Sequence, residues 1–127
     1  MKLEEAIKSN KFRNEAHKAG LNILYTAWLM KSIMNREMKN FGLTQEQYNV
    51  LRILKGKHPE QMCVKDIAGR MIEKNSNVPR IIDRLVAKKL VKRTDADYDK
   101  RHTHMSLTAA GINLLDIATK RVNKIIA

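Results

Sequence analysis

Hydrophobic positions between Ser76 and Lys89 fall three and four apart, at Val78, Ile81, Ile82 and Leu85, which puts them on one stripe of an amphipathic helix. Asn77, Arg80, Arg84 and Lys88 follow a similar spacing on another side, so their heads project together away from the core. Pro79 fits such a helix only in its first turn, where its missing N–H costs little; this predicts a start within two residues of Ser76. Beyond Leu90 the period changes. Val91 to Thr94 reads as a strand and Asp95 to Arg101 as a polar tip. Thr103, Met105 and Leu107 then alternate against His102, His104 and Ser106, and the whole predicts a hairpin.

The same reading covers the rest of the chain. Leu3 to Lys8 forms a short helical turn. From Lys11 to Lys39, Phe12, Ala16, Ala19, Ile23, Ala27, Met30, Met34 and Met38 recur every three or four residues, with added bulk from Leu24, Trp28 and Ile33. A helix of that length spans on the order of 40 Å, more than so small a domain can cover, so its stripe needs a partner. Phe41 and Gly42 end it, with glycine as a left-handed cap. Thr44, with Gln47 three residues on, opens the next helix in a capping-box pattern, with Val50, Leu51 and Leu54 inward and Gly56, His58 and Pro59 as the stop. Gln61 to Val64 supplies a short strand against the hairpin, and Val64 to Met71 a helix with Ile67, Ala68 and Met71 inward. After a turn through Ile72, Glu73, Lys74 and Asn75 comes the cationic helix. Thr108 caps a last helix whose stripe runs through Ile112, Leu115, Ala118 or Thr119, Val122 and Ile125.

Charge then narrows the function. The 127 residues carry a formal net charge of +12, which points to a polyanionic partner. A helix that begins with Asn75, Ser76 and Asn77 and continues with Arg80 has the side chains that hydrogen-bond base edges, while Arg84 and Lys88 are better placed to meet phosphates. A lone helix of this kind could equally be a solvated basic face. The basic hairpin that follows favours contact with double-stranded DNA, its tip reaching the minor groove through Lys100 or Arg101. Basic and acidic residues alternate and no apolar run approaches a membrane span, so a membrane partner is not expected. The start MKLEEAIKSNKF lacks the apolar core of a signal peptide, and one cysteine, Cys63, suits a reducing compartment, so a cytoplasmic setting is expected. His102 and His104 share one strand face, yet the four histidines lack the spacing of a zinc site; no metal, cofactor or catalytic set is expected.

Asp83-Arg84-Leu85, the Asp99-Lys100-Arg101 tip, and Leu107-Thr108 followed by Gly111, together with Leu43-Thr44 opening a helix, resemble the MarR-type transcriptional regulators over nearly the whole chain. The resemblance implies a mostly α fold: a winged helix-turn-helix lobe over residues 41–108, with residues 1–40 and 109–127 as dimerisation helices. It implies a homodimer, a repressor on a pseudo-palindromic operator, and release by a small amphipathic or aromatic effector, for which Tyr25, Trp28 and Met34 are candidate lining residues; ordinary core packing explains their spacing too. Base contacts are expected from Asn75, Ser76, Asn77 and Arg80, and phosphate contacts from Lys65, Arg84, Lys88 and Lys100. Arg101 is expected in the minor groove, oriented by Asp99, which could also pair with Arg84.

The chain departs from the family pattern in three places. Cys63 stands where a threonine or serine usually caps a helix, which weakens the cap and raises a redox-sensor reading beside that of an inert thiol. Lys89 stands where glycine often precedes the first wing strand, so a less tight turn is expected, with Lys88 and Lys89 as capping cations. Many relatives have one more helix after the point where this sequence stops. The alternative function is a winged-helix protein-interaction module that touches DNA only nonspecifically; its sign would be a blocked or acidic recognition face.

Overall fold

In the computed structural model, residues 2–96 and 99–126 are described, those from 95 to 102 by backbone alone. The chain forms α1 (Leu3–Ala6), α2 (Glu15–Lys39), α3 (Gln45–Lys57), β1 (Met62–Cys63), α4 (Val64–Arg70), α5 (Val78–Ala87), β2 (Val91–Ala96), β3 (Asp99–Leu107) and α6 (Ala109–Ile126). It is mostly helical, with one small antiparallel sheet in the order β1-β3-β2. This is a winged helix-turn-helix. The compact units divide at Met1–Arg36 and Glu37–Ala127, and the last helix belongs to the same unit as the winged lobe.

In the first unit, the Asn14 side chain accepts from His17 N at 2.8 Å at the start of α2. Glu4 of α1 pairs with Lys18 at 2.6 Å, and that hydrogen bond holds the Glu4 carboxyl below its ordinary pKa. The expected apolar stripe of α2 is covered only in part. Met34 is buried, whereas Ile23, Leu24, Trp28, Leu29 and Met30 are exposed, Trp28 to 61% and Leu24 to 69%.

In the second unit, local signals work as read. Gly42, at φ 68°, ends α2 in a Schellman motif: its N–H bonds Lys39 O and that of Leu43 bonds Met38 O. Thr44 and Gln47 form the capping box of α3, with bonds of 3.0 and 3.1 Å. Gly56 falls inside that helix, which runs on to Lys57. The core is closed by Val50, Leu51, Ile67, Ile82, Leu85, Met105 and Leu115, each 2% exposed or less. Met62 lies opposite Met105 and Cys63 opposite His104, so the short strand joins the wing as anticipated.

The segment after α5 overturns one expectation. Lys89 adopts φ 63°, and the Lys89 and Leu90 amides bond Val86 O and Leu85 O; the turn is a full Schellman cap, as tight as glycine would make it. The reason lies at the other end of the wing. Thr108 bonds back to this turn twice, from its hydroxyl to Lys89 O at 2.8 Å and from its amide to Leu90 O at 3.1 Å. The same hydroxyl accepts from Gly111 N at 3.0 Å, capping α6. A Cβ on Gly111 would lie 2.1 Å from Leu90 O. The Leu-Thr-x-x-Gly pattern is therefore a close backbone approach that locks α6 against the entry to the wing. Two further ties hold α6: Tyr48 Oη lies 3.1 Å from Thr119 Oγ1. Arg121 forks onto Glu37 at 2.9 and 3.1 Å, which raises the guanidinium pKa.

Candidate nucleic-acid interface

Helix α5 owes its start to Asn77, whose side-chain oxygen accepts from Arg80 N at 3.2 Å, with Pro79 in the first turn. The start falls within the expected two residues of Ser76, but Asn75 and Ser76 lie in the turn before the helix and not on it. Of the residues expected to read bases, only Arg80 stands on the helix proper. Val78, Ile82 and Leu85 are buried beneath it and Ile81 is half-buried, so the stripe read from the sequence is the packed side.

The turn from α4 into α5 is held by contacts that periodicity does not reveal. The Asn49 side chain accepts from Ile72 N at 3.0 Å, and Lys74 Nζ donates to Gly69 O at 2.9 Å. Asn75 is left exposed and Ser76 half-buried. An open cleft of about 320 Å³ runs between the N-terminus of α3 and α5, lined by Thr44, Glu46 and Gln47 on one side and Ser76, Asn77, Arg80 and Arg84 on the other. Arg80 and Arg84 are exposed, as is Lys65 on α4, and none of the three side chains has a hydrogen-bond or ion-pair partner among the described residues. This face of α5 is open, and the cleft beside it is lined by two unpartnered guanidiniums, Arg80 and Arg84, and one carboxylate, Glu46, among the described residues.

Lys88 departs from this pattern. Expected to hold phosphate, it instead turns its ammonium to Gly42 O and, at 2.9 Å, to Gln47 Oε1. Asp83 pairs with Arg93 of β2, fixing the helix to the first wing strand; the expected pairing of Asp99 with Arg84 involves a side chain outside the described residues. Asp99, Lys100 and Arg101 lie on β3, and Ala96 faces Asp99 across the ribbon. The side chains of Asp99, Lys100, Arg101 and His102 fall outside the described residues.

The other candidate sites resolve more simply. Cys63 occupies the N-cap of α4 without a side-chain cap bond, as a thiol should; it is half-buried. Among the described residues no group of three or more metal-ligating side chains forms, and no helix is long and apolar enough to cross a membrane. Tyr25 and Trp28 bring their rings to 6.0 Å on α2, with Met34 buried further along the same helix. Core packing within this chain does not account for Trp28.

A family model for MarR matches residues 43–103. The MarR transcription factor from Planctomyces limnophilus is 34% identical, with a TM-score of 0.78 over 90% of this chain and 82% of its own. The chain belongs to the MarR family. It is thus a member of a family of transcription regulators. The YusO protein from Bacillus subtilis is similar at 32% identity, with a TM-score of 0.65 over 86% of this chain and 74% of its own. The S. aureus MepR–DNA complex shares the fold at 22% identity, with a TM-score of 0.73 over 88% and 80%. None of the curated proteins matches.

Proposed function

We propose that this MarR-family chain is a sequence-specific DNA-binding repressor that acts as a homodimer on a pseudo-palindromic operator. The observation that carries the reading is the pair of exposed guanidiniums of Arg80 and Arg84 on one face of α5, without a partner among the described residues. In a major groove Arg80 would meet a guanine edge, with Asn75, Ser76 and Asn77 at the helix entrance contributing through the groups that capping leaves free. Arg84 and Lys65 would hold phosphate. Lys100 and Arg101 at the wing would add a phosphate contact and a minor-groove contact, with Asp99 as the orienting residue.

The dimer is supported by the exposed Ile23, Leu24, Trp28, Leu29 and Met30 on α2, an apolar surface that water penalises and a second copy would cover. Twofold pairing presents the two recognition helices to successive major grooves, roughly 34 Å apart. Tyr25, Trp28 and Met34 remain candidates for an aromatic or amphipathic effector that shifts this spacing and releases the operator. The test is selection of bound fragments from random DNA at one fixed salt concentration. An inverted repeat with half-sites one helical turn apart is expected, whereas fragments without a shared motif would favour the nonspecific interaction module.

A further inference from the structure

Three helix ends meet at Lys88. Its backbone is the C-cap of α5. Its ammonium donates to the carbonyl of Gly42, the left-handed residue that ends α2, and to Oε1 of Gln47 in the first turn of α3. Gln47 is only 4% exposed, a buried polar side chain in the core. The same Oε1 already accepts from Thr44 N at 3.1 Å, so one oxygen joins the capping box to the lysine. Gly42 O accepts no backbone N–H among the described residues. The lysine therefore supplies a donor to the carbonyl of the residue that closes the α2 cap, and a cation just past the end of α2 is favoured by that helix's dipole.

We infer that Lys88 is a positioning residue for the recognition helix: it ties the C-terminal end of α5 to the junction of α2 and α3 and sets the angle at which Arg80 and Arg84 are presented. This rests on the DNA-binding reading for its consequence, but not for its geometry. Lys88 is exposed, but two of the three donors of its ammonium are taken by Gly42 O and Gln47 Oε1, so on this inference the lysine contributes to affinity through orientation rather than through counterion release.

The two roles differ in what salt does. A phosphate ligand removed from a protein lowers the slope of log affinity against log salt by about one, while a positioning residue removed leaves the slope alone. Duplex binding should be titrated across several salt concentrations for the unmodified protein, Lys88→Met, Lys88→Arg and, as the phosphate reference, Arg84→Met. Amide exchange of Thr44 should be followed in the same proteins without DNA. For Lys88→Met we expect a roughly tenfold loss of specific affinity, as for a broken charge-assisted hydrogen bond, with an unchanged slope and faster Thr44 exchange. Lys88→Arg, able to reach both oxygens, should restore both. A slope lowered by about one in Lys88→Met, or Thr44 exchange that does not change, would overturn the inference. Should the unmodified protein fail to prefer any duplex, the DNA-binding reading falls, and Thr44 exchange still decides whether Lys88 holds the junction.

Discussion

Helices α2 and α5 carry apolar residues at the same three-and-four spacing, yet they use them in opposite ways. In α5 the stripe is Val78, Ile82 and Leu85, all buried within their own lobe, and the exposed side is basic. In α2 the bulk at Ile23, Leu24 and Trp28 faces solvent while Met34 and Met38 are covered. Periodicity reports that a helix has an apolar face and says nothing about which molecule covers it. Length supplies the missing information: 10 residues in α5 fit beneath a small lobe, and 25 in α2 do not. One face folds the chain, and the other is the surface proposed to pair it.

The comparison can be broken at either helix. The largest effect is expected at the fold-determining face. Leu85→Ala, at 0% exposure, should cost about 2–5 kcal/mol by lost burial and a residual cavity; a urea melt that moves by less than a third of this would mean the α5 stripe is not the core contact described. On α2, Trp28→Ala should leave the monomer's melting nearly unchanged but weaken self-association by ~30-fold or more, as for an aromatic anchor at an interface. Equal oligomer populations in the variant and the parent would remove α2 from the pairing surface.

Smaller effects sharpen the functional half. Arg80→Ala should relax sequence preference at one base step by about 1–3 kcal/mol, whereas Arg84→Ala should weaken all duplexes alike and lower the salt slope by about one. Identical behaviour of the two would show that base and phosphate contacts have been sorted wrongly. Lys89→Gly should stabilise the fold by about 1 kcal/mol, since it removes a side chain from a left-handed backbone; a loss in a thermal melt would contradict the strain argument.

The smallest effect is expected at Glu4. Its pKa is lowered by the Lys18 hydrogen bond, so any stabilisation is present above the unfolded value and lost as pH falls through the lowered one. The pair is solvent-exposed, and Glu4→Gln should not measurably move the midpoint of a neutral-pH melt.

How much could be read in advance differed by the kind of signal. Caps were legible because the side chains that make them are chemically distinct: Thr44 with Gln47, Gly42, and Thr108 all act where the sequence places them. The turn at Lys89 was not. Its conformation is imposed from Thr108 and Gly111, nineteen and more residues away, and tertiary contacts there override the local cost of a lysine at positive φ. The bonds of Lys88 were not legible for a related reason. Helical spacing put it on one face with Arg80 and Arg84, but a long, flexible side chain follows its oxygens, and Gly42 and Gln47 lie more than forty residues upstream. The ties from Asn49 to Ile72 and from Asp83 to Arg93 were missed as well. Contacts set by the meeting of elements leave no period in the chain.

Sedimentation of the protein with a duplex carrying its selected motif tests the central claim most directly. Two chains per inverted repeat, and no stable complex of one chain with an isolated half-site at the same concentration, is the result expected if α2 pairs the copies and α5 reads the groove. A single chain bound per full site, with affinity unaffected by Trp28→Ala, would contradict it.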